Sequence, residues 1–540
     1  MAGTARINTL EIEAPTGSTL FELADELGIP VQNSCQKQGK CRECLVEVVE
    51  GMELLSPRTT EEMALRGNFR LACKARIQAD AGTLHCNTLR RGALRIEDSA
   101  HELAIRNRVS CFDPAVRRSG DRVLIEGTDV DRFPGALFGL ALDLGTTTVV
   151  VRLVDLIEGQ VVASQSFENP QRFAGSDVMS RIRYDGEDGG QLLRKVLLGY
   201  LAEAIRVLPC RPHEIYETVV AGNTTMRDLF FGLNIQSIGV KPFRSLVEFD
   251  YRAGKRMQTA IQSGGDQAGF PMNPRGRVYG LPLIGSHVGA DAAACLLAVN
   301  LQDEEGVVAV MDIGTNTELV IGTRARVLAA SCPAGPAFEG GGVSCGIPAL
   351  EGAIERLRLS DSGSVAYEVI GDRVPEGICG SGLVDLLSEL RRTGKINERG
   401  RLTDGPGVFV VDEEHSIFLS EEDISNLAQA KAANVAGLRI TMKQAEAEYS
   451  AIDRFYLCGA FAKHLDFEAA KRIGLLPDIP EEKVFQLGNA AIEGATTALL
   501  SMKCRRRLED FVTGIEHLEL ETDPGFFNSF VDGCLFRPFE

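Results

Sequence analysis

Apolar and polar residues alternate along residues 5–12, ARINTLEI, in the two-residue rhythm of a strand, and PTGST after it reads as a turn. In TLFELADELG the apolar positions recur every three to four residues, which predicts an amphipathic helix. Thr19 and Glu22 stand at capping-box spacing, and Gly28 supplies the stop. A strand, CLVEVVEG, a break at Pro57, a short helix, TTEEMALRG, and a further strand, FRLACKARI, complete the first 90 or so residues. Residues 90–135 are charged and weakly periodic, the pattern of a partly ordered linker. From residue 136 strands and helices alternate as in an α/β domain. LALDLGTTTVVVRLVDL and VAVMDIGTNTELVIGTRA each run apolar strand, Asp-x-Gly-Thr, second strand, with Asp143 and Asp312 169 residues apart. A repeat of that length predicts two similar domains facing each other across a cleft.

The expected fold class is therefore α/β multidomain. A β-grasp-like module occupies 1–92, a linker 93–135, and two duplicated lobes 136–303 and 304–540. With 44% hydrophobic and 24% charged residues the 540-residue chain reads as globular, and too long for a single core. A net charge of −18 would repel phosphate backbones and excludes general nucleic-acid binding. No apolar run approaches the roughly 20 residues that span a bilayer. The first residues lack a signal-peptide pattern, so the 14 cysteines are expected as reduced thiols in the cytoplasm.

Four of those cysteines have ligand spacing. Cys35, Cys41 and Cys44 follow Cys-x5-Cys-x2-Cys, and Cys73 comes 28 intervening residues later. Three thiolates on a loop with Gly39, Ser34 and Gln36, and a fourth from a distant strand, suit a [2Fe–2S] cluster, and the five-residue first gap resembles the adrenodoxin branch of ferredoxins. A structural zinc site also uses four cysteines, but usually with two Cys-x2-Cys knuckles where this chain has one. Cys86, Cys111, Cys210, Cys295, Cys332, Cys345, Cys379, Cys458, Cys504 and Cys534 read as small buried hydrophobes.

The paired Asp-x-Gly-Thr turns suggest a different chemistry. A tight Gly-Thr turn offers successive N–H groups to phosphate oxygens, and the preceding Asp can hold Mg²⁺ directly or through its waters. Asp143 with Gly145, Thr146 and Thr147, and Asp312 with Gly314, Thr315 and Asn316, would clamp a nucleotide from both sides. A third element, FYLCGAFAKHL at 455–465, has small residues at Gly459 and Ala460, followed by Phe461, that would admit an adenosine. Together these resemble the phosphate-1, phosphate-2 and adenosine motifs of the acetate kinase, sugar kinase, Hsp70 and actin superfamily, with its ribonuclease H-like ATPase fold. The string GGGVSCG matches a hydrolase nucleophile elbow at Ser344, but the turn-like CPAGPAFEGG before it is no strand, so it reads as a nucleotide-side loop.

LDLGTTTVVV, NPQRFAGSDVMSRI, AGNTTM, VGADAAA, MDIGTNTELVIG, CPAGPAFEGGGVSCGI, GICGSGLVDLL, AKAANVAGL and GAF…IGLLP follow one another across residues 136–480. In that order the sequence resembles the reductive activators of corrinoid proteins, which join an N-terminal [2Fe–2S] ferredoxin domain to an ATPase of this superfamily. The resemblance implies one-electron reduction of an inactive Co(II) corrinoid protein of a methyltransferase system to Co(I). It also implies help from ATP and Mg²⁺ and refilling by an upstream low-potential reductant. Three rivals remain: an activator of a 2-hydroxyacyl-CoA dehydratase or benzoyl-CoA reductase, a non-enzymatic electron-transfer adaptor with a degenerate ATPase fold, and a small-molecule kinase. The family's GAFGN is GAFAKH here, and Cys504 and Cys534 are too few for a further cluster.

Overall fold

The structure, a computed structural model, describes residues 3–8, 10–29, 31, 37–39, 44–79, 81–89, 112–188, 192–360, 363–403, 407–459 and 462–539. The N-terminal sheet has the order β2-β1-β5-β3-β4, from β1 (Gly3–Ile7), β2 (Leu10–Ala14), β3 (Leu45–Glu50), β4 (Phe69–Leu71) and β5 (Thr83–Thr88). The stretch 5–12 is two strands of a hairpin, not one, because the chain reverses at Asn8 with a left-handed φ of 55°. Helix Leu20–Glu26 buries Leu20, Phe21, Leu23 and Ala24, and the Thr19–Glu22 capping box forms as expected. The expected helix near residue 60 is a single 3-10 turn, Thr60–Glu62. The strand expected over FRLACKARI ends at Leu71, so Cys73 lies on a turn.

The expectation of a linker is corrected over residues 116–132. These form an antiparallel meander of β6 (Val116–Ser119), β7 (Arg122–Ile125) and β8 (Thr128–Arg132). Val116 and Val123 are fully buried in the core between the lobes, while Glu126 and Asp131 pair with Arg277 and Arg275. Charge on the outward positions masked the short apolar face.

The first lobe carries the sheet β11-β10-β9-β12-β14-β13, made of β9 (Phe138–Leu144), β10 (Thr148–Asp155), β11 (Val161–Glu168), β12 (Ile215–Gly222), β13 (Ile261–Gly264) and β14 (Arg277–Gly280). The second carries β15 (Val307–Ile313), β16 (Thr317–Thr323) and β17 (Arg326–Cys332). Between its halves lie the small pairings of β18 (Ala353–Leu359), β19 (Val365–Val369), β20 (Gly377–Ile378), β21 (Val408–Asp412) and β22 (Ile417–Ser420). The lobe ends with β23 (Ile452–Cys458), β24 (Val484–Gly488) and β25 (Glu516–His517). Its main sheet runs β24-β23-β15-β16-β17-β25, so 11-10-9-12-14 in one lobe repeats as 17-16-15-23-24 in the other. In both, two antiparallel hairpin steps are followed by two parallel pairings. The internal echo of the sequence is thus a duplicated fold.

Helices Ala290–Val299 and Ala490–Leu500 lie between the lobes, and nearly every residue of both is buried. Their crossing is close: a Cβ on Gly494 would fall 1.9 Å from the carbonyl oxygen of Ala294. The chain then continues as helix Met502–Val512, whose Arg505 donates to Glu217 on β12 at 2.9 Å. The N-terminal domain rests on the first lobe through helix Val178–Asp188, where the Tyr184 hydroxyl donates to the Ala64 carbonyl and Arg66 pairs with Glu187. No helix among the described residues is long and apolar enough to cross a membrane.

Candidate functional site

Antiparallel pairing of β3 with β4 brings Cys44 beside Cys73, with Sγ atoms 3.3 Å apart and both side chains buried. The bond to Cys44 is the main reason the Cys73 thiol is lowered to about 7, with the neighbouring Lys74 ammonium helping against burial. Two adjacent thiols, one of them easily ionised, fit a pair of ligands on one metal atom. Gly39 has φ 78°, and a Cβ there would lie 2.5 Å from Lys74 Cε, so the loop passes tightly over this corner. Cys35 and Cys41 lie outside the described residues, as does Cys111. The corner is braced from below: Arg70 donates to both Glu62 oxygens at 2.8 and 3.1 Å, and the N–H of Leu71 adds 2.9 Å.

The duplicated lobes bring the two turns together. Asp143 and Asp312 lie one residue before the ends of β9 and β15, and Gly459 directly follows β23, all at one edge of parallel-paired strands. They line a single cavity of about 110 Å³ with Gly145, Thr146, Gly314, Thr315 and Asn316. Thr147 closes the gap between lobes, its hydroxyl 3.2 Å from that of Thr315. Gly459 (φ 111°) is pinned by packing, since a Cβ there would meet the Ile313 carbonyl at 2.3 Å. Its smallness is required by the neighbouring strand before any ligand is considered. Ala460 and Phe461 fall outside the described residues.

The first turn is held from behind. Asn169 donates through its side chain to the Gly145 carbonyl (2.8 Å) and through its backbone to the Thr147 carbonyl (2.6 Å). The fully buried Arg181 donates to the Thr146 carbonyl at 2.6 Å. In a planar trans peptide the N–H opposes its carbonyl, so tying these three carbonyls back turns the N–H groups of residues 146–148 the other way. N–H groups turned outward in this way suit an anion. The stretch NPQRFAGSDVMSRI supplies both tethers, which explains its place beside the turns.

The cavity is acidic, with no Lys or Arg in its lining among the described residues. Burial, reinforced by the other carboxylates, pushes Asp312 up to about 7 and Asp291 up to about 8; burial also raises Asp143 to about 6 against the pull of Asn489. Glu318 and Glu339 are raised as well, for the same first reason. Crowded buried carboxylates without a cation fit a divalent metal. Among the described residues no three such groups close a metal cage by themselves. Mg²⁺, which commonly keeps its waters and takes one or two carboxylates plus phosphate oxygens, is an ion such a set could hold.

Five lining residues had no role in the sequence reading. Asn223 donates to Thr146 Oγ1 (3.0 Å), Asn489 donates to Asp143 (2.7 Å), and Asp291, Glu318 and Glu339 complete the acid group. The available signal was a lone acid or amide in an apolar or small-residue string: Asp291 in VGADAAA, Glu318 in TELVIG, Asn489 in LGNAA. Ser344 is no elbow nucleophile: its hydroxyl and N–H donate to Asp423, at 2.6 and 2.7 Å, anchoring the loop to helix Glu421–Gln444. Cys86, Cys295, Cys332, Cys345, Cys379, Cys458 and Cys504 are buried, and Cys210 and Cys534 partly so.

Comparison with known proteins matches this architecture. Residues 5–78 match the family described as a 2Fe-2S iron-sulfur cluster binding domain, residues 138–304 the RACo middle region, and residues 306–539 the C-terminal domain of RACo, the ASKHA domain. The corrinoid activation enzyme RamQ of Eubacterium limosum is 30% identical over 97% of both chains. A [Co(II) methylated amine-specific corrinoid protein] reductase of Methanosarcina barkeri is 23% identical over 73% of this chain and 76% of its own. A solved structure of a reductive activator for corrinoid, iron-sulfur protein superposes with a TM-score of 0.73 at 30% identity, covering 99% of this chain and 98% of that one. With a ferredoxin-type domain in front, a duplicated ASKHA fold behind, and identity sustained along its length, the chain belongs to the RACo family of reductive activators of corrinoid proteins.

Proposed function

We propose that this protein returns a Co(II) corrinoid protein of a methyltransferase system to Co(I), one electron at a time, with ATP binding and hydrolysis assisting. The carrying observation is that one chain joins a buried thiol pair (Cys44, Cys73) to a cleft in which two duplicated turns meet across 3.2 Å. Cys35, Cys41, Cys44 and Cys73 would hold a [2Fe–2S] cluster. When bound there, that group supplies one-electron transfer. The chain's part is to exclude water around Cys44 and Cys73 and to keep their corner rigid through the Glu62–Arg70 pair.

In the cleft, Asp143 and Asp312 would hold Mg²⁺ through its waters, and the turns at 145–147 and 314–316 would receive the phosphates of ATP. Gly459, Ala460 and Phe461 would frame the adenosine. Cobalt(II) gains one electron and no atoms, and an upstream low-potential reductant restores the protein. For a single electron each ~59 mV uphill costs about a factor of ten in equilibrium constant. ATP-dependent movement of the lobes against the corrinoid protein is the means of shifting that balance. The test is anaerobic: reduced protein, Mg-ATP and a Co(II) corrinoid protein, followed by the Co(I) absorbance band. Absence of Co(I), or equal Co(I) without ATP, refutes the proposal.

A further inference from the structure

One oxygen of Glu339 accepts from two hydroxyls at once. Thr147 Oγ1 donates to Glu339 Oε2 at 2.9 Å from the first turn, and Thr315 Oγ1 donates to the same atom from the second. A threonine hydroxyl has one proton to give. While both are given to Glu339, neither is available to a phosphate oxygen. The carboxylate and a phosphate would also be two anions in one buried space, which is costly in a low-dielectric site.

Glu339 has somewhere to go. It borders a second cavity of about 160 Å³, whose lining also includes Arg172 and Arg181. The following residues are Gly340, Gly341 and Gly342, and the first and last have φ values of 87° and 73°. Glycine adopts such φ values without a Cβ clash, and at Gly340 a Cβ would meet the Ile347 nitrogen at 2.5 Å, so the backbone is held and the retreat of Glu339 is a rotation of its side chain. The same cavity is closed by Asn87, Thr88 and Leu89 at the edge of the N-terminal domain, and Arg172 reaches Glu47 of that domain at 3.5 Å. The space into which Glu339 would retreat therefore lies under the electron-carrying domain.

We propose that Glu339 competes with the terminal phosphate of ATP for the hydroxyls of Thr147 and Thr315. ATP then displaces the carboxylate toward Arg172 and Arg181, against the docked ferredoxin-type domain. This rests on the reading of the cleft as an ATP site. ADP, with one phosphate fewer, does not reach this seat, so Glu339 lowers affinity for ATP selectively and acts as a positioning residue that senses the third phosphate.

The test is calorimetric titration of the full, cluster-loaded chain with Mg-AMPPNP and Mg-ADP, comparing wild type with Glu339→Ala and Glu339→Gln. An unchanged melting transition of the full chain serves as the check on folding. Glu339→Ala is expected to bind AMPPNP about tenfold more tightly, roughly the worth of one charge-assisted hydrogen bond, while ADP affinity moves by less than about twofold. Glu339→Gln, which keeps the volume and loses the charge, is expected to shift the same way by less, and it decides the matter if the alanine variant does not fold. Weaker AMPPNP binding, or equal shifts for both nucleotides, overturns the inference while leaving the ATP site standing. A wild-type protein that binds neither nucleotide overturns the ATP reading itself.

Discussion

The side-chain amide of Asn489 donates to the carboxylate of Asp143 across 2.7 Å, joining groups 346 residues apart in the chain. The same side chain caps helix Ala490–Leu500 by accepting from the Ile492 N–H. Asn489→Asp keeps the cap and replaces the donor with another acid beside Asp143. We expect that variant to melt lower than wild type without Mg²⁺ and to regain more of the loss when Mg²⁺ is added. Asn489→Ala loses the cap as well, about 1 kcal/mol by itself, and Mg²⁺ does not recover that part.

Asp312 lies in the cleft and the thiol pair lies in another domain, so their failures should separate. Asp312→Ala is expected to lower ATP-dependent Co(I) formation on the order of a hundredfold, as for loss of a group that stabilises developing charge. The visible spectrum of the cluster-loaded protein should stay as in wild type. Loss of both together contradicts the division of roles.

Glu217 lies fully buried between Arg277 and Arg505, at 2.7 and 2.9 Å, and ties the helix after residue 501 to the first lobe. Glu217→Ala leaves Arg505 in the core without its carboxylate, while Arg277 keeps Glu126, and is expected to cost about 3–5 kcal/mol in urea unfolding. Glu217→Met, which still fills the space, should do no better, because the buried Arg505 charge still lacks its carboxylate.

Acid should release the iron–sulfur domain through Glu62. Burial alone would raise this carboxyl, but the Arg70 guanidinium and the N–H groups of Thr59 and Leu71 hold it below its ordinary 4.5. A depressed carboxylate contributes stability that is complete above the unfolded pKa and is lost as the pH falls through the lower folded one. Cluster absorbance is therefore expected to persist at pH 6 and bleach only below about 4.5, where this contribution begins to fade. Glu62→Gln should bleach faster at neutral pH and depend less on acidity, read as bleaching rate against pH.

Gly494→Ala would place a methyl group 1.9 Å from the Ala294 carbonyl. The helices must separate, and overpacking of this kind costs about 1–3 kcal/mol. A lower melting temperature with a shifted ATP affinity is the expected result, and an unchanged protein would mean that the crossing is looser than described.

The sequence made the repeat and the thiol spacing legible because each is local: Asp143 and Asp312 sit in near-identical strings, and Cys41 and Cys44 are three positions apart. The repeat predicted two similar lobes, but the order of their strands came only with the structure. The meander at 116–132 was hidden because its two buried valines are outnumbered by charges whose partners, Arg275 and Arg277, are distant in sequence. Glu339 was hidden for a related reason. Nothing around it in PAFEGGG marks it as an acceptor, and its meaning comes from hydroxyls 24 and 192 residues away.

The helices at 490–512 have a kinetic consequence. Arg152 on β10 finds its partner Glu493 only 341 residues later, and the first lobe's inner face is packed against that late segment. At ribosomal rates of about 5–20 residues per second, that face waits on the order of tens of seconds for its cover. The first lobe is then a long-lived nascent intermediate with apolar surface open to the cell. Its core is completed only when residues 490–512 arrive, so its folding is expected to be coupled to that of the second lobe.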